Sequence, residues 1–185
     1  MKKISAIVLF ILLSSCAAKQ EPISNPSSWI QGNENQLFLG FEFGMSRLDM
    51  IVNAKELNDQ QIIKPGAGAE FLMDDSSMVS LARVAFYPVF NEEDELIAVP
   101  MTYGYAGWAP WNEHLSSDSL AYHVSKMLSD SLHIDFDKSS NSNGQPIYTF
   151  KKLLPMIKIE PIDDYKISVV YALDNQTLES TKHKY

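Results

Sequence analysis

One cysteine in 185 residues, at position 16 behind an apolar run, sets what the rest of the chain has to fold with. A lone cysteine closes no internal disulfide and offers no paired thiol for a zinc site, so stability must come from a buried core. The segment in front of it leaves the fold altogether. Lys2 and Lys3 precede an uncharged, mostly apolar run from Ile4 to Leu13, and the small residues Ser14 and Ser15 follow. A positive start, an apolar stretch of about 7–15 residues and a small-residue cleavage site make a secretory signal peptide. The run is shorter than the ~20 apolar residues a transmembrane helix needs. Residues 1–15 are therefore expected to be removed, leaving residues 16–185, enough chain for one ordinary domain.

Leu13-Ser14-Ser15-Cys16 resembles the lipobox of bacterial lipoproteins. The resemblance implies diacylglycerol on the Cys16 thiol and, after cleavage, a further acyl chain on its amine. Two or more chains anchor a protein stably, at about 0.8 kcal/mol per buried methylene. Ordinary signal-peptide cleavage is the competing reading, but it wants a small residue three places before the cut, where Leu13 stands. Ala17 follows the cysteine, not the aspartate that holds lipoproteins in the inner membrane of enteric bacteria. The resemblance thus implies the periplasmic face of the outer membrane, with the cell surface as the alternative.

Losing Lys2 and Lys3 takes the formal charge from −8 to −10. An acidic protein repels nucleic acid and anionic head groups, so no nucleic-acid partner is expected and membrane attachment rests on the lipid. Residues 16–28, with Pro22 and Pro26 and no hydrophobic period, read as lipidated cysteine plus tether.

The pattern changes at Gln36. Leu37, Leu39, Phe41 and Phe43 alternate with Phe38, Gly40 and Glu42, which predicts a strand with one buried face. Ser46 opens a helix running to about Leu57, with Asp49 completing a capping box and Met45 and Met50 forming a hydrophobic staple. Its buried residues are expected among Leu48, Ile51, Val52 and Leu57. Met78–Val89 and Leu96–Tyr103 read as a long hairpin about Asn91-Glu92-Glu93-Asp94, with Pro88 and Pro100 at strand edges or ends. Ser116 caps a second helix that ends near Leu132, where Leu120, Val124, Met127 and Leu128 make the apolar stripe and Leu115 staples against Leu120. Beyond the turn Asn141-Ser142-Asn143-Gly144, strands are expected at 147–150, 156–159 and 165–172. The expected architecture is α+β, an antiparallel sheet of hairpins with two main helices. It occupies residues 29–178 as a single domain, or as two helix-plus-meander halves meeting near 110–116, with 179–185 as a frayed tail.

Phe43-Gly44-Met45-Ser46, read as a strand passing straight into a capped helix, resembles the opening of small BamE-like envelope lipoproteins. That resemblance implies an α+β fold, from which the chain departs by carrying a second helix and meander after Leu115.

The chemistry-bearing residues are few. Tyr103-Gly104-Tyr105-Ala106-Gly107-Trp108-Ala109-Pro110-Trp111 sets four aromatics in a presumed loop. Tyr105, Trp108 and Trp111 are the candidate contact residues, because aromatic side chains supply large, rigid contact area. The competing reading folds these rings back over the sheet. His114 is the fourth candidate, with Asp118 and His123 within reach if the helix starts early. Three or four converging ligands are needed for zinc, usually as a tight pair such as H-E-x-x-H, and none occurs. No cofactor is expected. Asp135 and Asp137 share a face, and Glu92 to Glu95 form an acidic run, both most simply solvated. No nucleophile elbow, phosphate loop or dinucleotide fingerprint is present. The sequence therefore predicts a membrane-tethered binding or assembly module with an envelope protein as partner. The alternative is an envelope glycan-binding protein or hydrolase using loop 103–114 and His114.

Overall fold

The computed structural model describes residues 35–75 and 82–181. The signal segment, Cys16 and the tether lie outside these residues, as do Met78 to Leu81 of the expected hairpin and the end of the tail. Helix α1 (Arg47–Asp59) is followed by strands β1 (Lys64–Pro65), β2 (Phe71–Asp75), β3 (Ala82–Phe86), β4 (Val89–Phe90) and β5 (Leu96–Tyr105). Helix α2 (Ser117–Leu132) then leads to β6 (Asp137–Ser140), β7 (Pro146–Phe150), β8 (Met156–Pro161), β9 (Lys166–Ala172) and helix α3 (Asn175–Ser180).

The nine strands of the described residues join one antiparallel sheet in the order β1-β2-β3-β5-β9-β8-β7-β6, with β4 also pairing β5. The fold is the expected α+β with two main helices, and the two halves of the chain share one sheet through the β5–β9 pair. Among the described residues the strand order ends on β1, a lysine and a proline, and on β6, whose Asp137, Lys138, Ser139 and Ser140 are all exposed.

One face of the sheet carries the main core. Val84, Phe86, Met101, Tyr103, Ile157, Ile159, Ile167, Val169 and Tyr171 pack with Leu120, Ala121, Val124 and Leu128 of α2. The i, i+4, i+8 spacing of Leu120, Val124 and Leu128 gives α2 its single buried stripe. Ser116 caps it by accepting from Ser119 N. A smaller cluster on the other face, Ala98, Val170 and Ala172, is closed by Leu178 of α3. The tail expected to fray from residue 179 is thus helical through Ser180. Asp174 accepts from Thr177 N, and burial of Leu178 holds the turn down.

Three further expectations are corrected. Residues 37–43 form a tight reversal. Leu39 and Gly40 take positive φ, Leu37 N donates to Phe41 O, and Gln36 bridges Glu42. Leu37 and Phe38 are both buried, which two neighbours on a strand with one buried face are not. Helix α1 caps on Ser46 as expected, with Ser46 accepting from Asp49 N, but it buries Met50, Ala54 and Leu57. Leu48, Ile51 and Val52 face solvent. Pro100 sits inside the central strand β5, opposite Val170. Its carbonyl accepts from Tyr87 N, so its missing donor faces the β3–β4 junction, where the ladder is already interrupted.

The start of the described chain is fastened to one end of β5. Phe43 N donates to Asn35 O, Gly44 N to Leu96 O, and Leu96 N to Met45 O. Arg47 pairs with Asp94 at 2.6 Å and lies 4.1 Å from the Phe90 ring centroid, which ties the start of α1 to the β4–β5 turn. Loop 106–116 leaves the other end of β5. Ten residues at about 3.3 Å each separate the two ends by ~30 Å.

Candidate functional site

Beyond Tyr105 the chain stays irregular until Ser116, and its own backbone braces it. Trp108 N donates to Tyr105 O, Asn112 N to Ala109 O at 2.8 Å, and Asn112 Nδ2 to Gly107 O at 3.0 Å. Leu115, buried beneath the loop, and the Ser117 N to Asp164 O bond dock it against the turn between β8 and β9. Asp163 shapes that turn by accepting from Tyr165 N and Lys166 N.

The four candidates separate into three environments. Tyr105 is buried, so it is not a contact residue. Its hydroxyl pairs with His123 Nδ1 at 2.8 Å, while burial pushes its pKa up and a hydrogen bond with Ser119 draws it back. The strand extends two residues further than the sequence suggests and carries Tyr105 under α2, because position 105 shares the inward face with 101 and 103. Trp108 is half-buried and stacked on Tyr165, ring centroids 4.3 Å apart and planes 28° off parallel. Lys166 Nζ lies 5.0 Å from the centroid of the same tyrosine ring. Of the three aromatic candidates only Trp111 stands free, with 82% of its surface exposed. His114 is exposed on a short 3-10 turn, Glu113–Leu115, and makes no hydrogen bond or ion pair among the described residues.

The grouping of His114, Asp118 and His123 does not form. Among the described residues no three histidine, cysteine or acidic side chains converge as a metal site. A catalytic histidine needs a partner that orients it, and His114 has none here. Asp135 and Asp137 are exposed, and in the acidic run Asp94 is engaged by Arg47 while Glu95 accepts from Asn91. Sequence reasoning missed Tyr165 as the partner of Trp108. Its only signal was its place next to the Asp163-Asp164 turn, which says nothing about which loop lies above it.

A braced loop presenting one indole supplies a large apolar contact surface on a backbone that is already ordered. The two tryptophans should therefore respond differently to truncation. Trp111→Ala is expected to change stability by less than about 0.5 kcal/mol. Trp108→Ala is expected to cost about 1–2 kcal/mol through the lost ring stack and its buried area. Urea unfolding of both variants checks the pair. Comparison with known protein families, curated proteins and solved structures gives no match.

Proposed function

We propose that this chain is a bacterial cell-envelope lipoprotein, anchored through acylated Cys16, that works as a membrane-tethered binding or assembly module. Trp111 is its contact residue. The observation that carries the reading is the contrast within one loop: Trp108 is stacked and held, while Trp111 projects from the same brace almost fully exposed. Exposed tryptophan at a rigid site is the residue type most enriched where binding energy concentrates. The lipobox-like Leu13-Ser14-Ser15-Cys16 supplies the tether, which raises the effective concentration of the domain for any partner in the same membrane.

The β5 strand sets the geometry of that contact. Trp111 lies beyond the end of β5 opposite the one that holds Asn35, well separated from the point where the tether joins the domain. A partner projecting from the membrane, or one held beyond it, is better placed to meet this face than a lipid head group.

In-cell crosslinking of the lipidated protein, with a photo-reactive residue at Asn112, tests the reading. One protein recovered in near-stoichiometric amount is expected, and Trp111→Ala should lower its recovery about tenfold or more. Recovery unchanged by that substitution removes Trp111 from the interface. Absence of any enriched protein, with binding to envelope glycan in its place, turns the exposed indole into a sugar-stacking platform.

A further inference from the structure

Helix α1 buries one face and leaves an apolar stripe on the other. Met50, Ala54 and Leu57 enter the core. Leu48, Ile51 and Val52, at i, i+3 and i+4, are 70%, 51% and 51% exposed. The outward face of a surface helix is ordinarily polar. Here only its first two turns are apolar. Further along, Lys55, Glu56, Asn58, Asp59 and Gln60 are exposed and polar, and Lys55 pairs with Asp59 at 2.9 Å.

The apolar end is the one nearest the proposed anchor. Ser46 caps the helix three residues after Phe43, whose amide bonds Asn35 at the start of the described chain. The 18 residues from 17 to 34 span at most about 60 Å even fully extended, so Cys16 in a bilayer confines this end of β5 to within that distance of the membrane. Confinement of that kind lets a weak contact be well populated.

We propose that the first two turns of α1, through Leu48, Ile51 and Val52, dock on the lipid surface in which Cys16 is anchored. The inference rests on the tether proposed above. The contact is shallow and apolar, at the interface between head groups and acyl chains. Charge does not drive it. Arg47 is drawn onto Asp94 and Phe90, Lys55 onto Asp59, and Asp49 and Glu56 flank the stripe. Anionic head groups therefore weaken the docking, unlike a basic amphipathic helix, which they strengthen.

The test uses the acylated full chain reconstituted in phosphatidylethanolamine vesicles with a minor share of phosphatidylglycerol. Val52→Cys is labelled with an environment-sensitive fluorophore, since acylation leaves Cys16 without a free thiol. Lys138→Cys on the exposed edge strand is the reference, and Leu48→Ser with Ile51→Ser is the disabling background. Quenching by spin-labelled lipid is expected to be about threefold stronger at position 52 than at 138, and to fall to the reference in the double variant. All four substitutions lie on exposed positions, and an unchanged circular dichroism spectrum confirms the fold. Equal quenching at both positions overturns the proposal. So does a label at 52 that is shielded from water but not quenched by lipid, which marks a second copy, a protein partner or the chain's own Trp29 and Ile30 as the cover. Mass spectrometry of the same preparation reads Cys16 separately. An unacylated cysteine overturns tether and docking together, whereas an acylated one with an unquenched label overturns docking alone.

Discussion

Phe38→Ala is expected to remove about 3–5 kcal/mol of stability, a large share of the ~5–15 kcal/mol that holds a domain together. The ring is almost fully buried and sits edge-on to Phe41 at 5.6 Å and to Phe86 at 5.3 Å between centroids, with Tyr171 at 6.0 Å. Truncation therefore loses the transferred area and several aromatic contacts at once, and leaves a cavity between sheet and reversal. The experiment also separates two structures for residues 37–43. On an alternating strand, Phe38 shares a face with Gly40 and Glu42, and its loss costs about 0.5 kcal/mol or less. On a tight reversal, Leu37 and Phe38 both go inward. Equilibrium urea unfolding reads the difference directly, and a small effect at Phe38 would contradict the reversal.

Alkaline pH is expected to destabilise the protein steeply. Tyr103 and Tyr171 are fully buried, and burial first, then neighbouring charges including Asp75, pushes both hydroxyls well above the ordinary tyrosine value. In the unfolded chain they ionise near pH 10. Above that pH the native state holds protons that the unfolded state has released, so stability falls as pH rises. Below about pH 10 the full contribution is present. Each tyrosine contributes a slope of ~1.4 kcal/mol per pH unit, so the pair gives nearly 3. Tyr105 adds a smaller slope of the same sign. Urea midpoints measured between about pH 9 and pH 11.5 give the slope, and Tyr171→Phe should remove close to half of it. A flat profile would mean that these hydroxyls reach water. At Tyr103 the hydroxyl has no hydrogen-bond partner among the described residues, so Tyr103→Phe should remove a similar share of the slope with little loss at neutral pH.

The part of the fold legible in the sequence is the part where local pattern and tertiary burial agree. Ile157 and Ile159, and Ile167, Val169 and Tyr171, alternate because they line one buried face. The caps at Ser46 and Ser116 were readable because a cap is a local hydrogen bond. Residues 37–43 misled because alternation in a Phe- and Leu-rich segment does not reveal a reversal. The left-handed turn there uses Leu39 as well as Gly40, and leucine carries no turn signal. Helix α1 misled for the opposite reason. Apolar residues on both faces give two equally good stripes, and only packing chooses Met50, Ala54 and Leu57. Pro100 looked like an edge residue because the gap between β3 and β4 that accommodates it is a tertiary feature. At the site, composition picked out the aromatic loop, but which ring is buried, stacked or free depends on the length of β5 and on Tyr165.

The two ends of the strand order bear on the crowding that the proposed tether would bring. Molecules tethered to one membrane meet one another far more often than free ones, and an unpaired strand edge is a template for chain-to-chain pairing. β1 offers only Lys64 and Pro65, and the proline has no donor to give. β6 offers four exposed polar residues with an aspartate and a lysine among them. Neither edge is long, flat or apolar enough to seed a ribbon of copies. Under the tether proposed above, edges of this kind disfavour strand pairing between neighbouring copies.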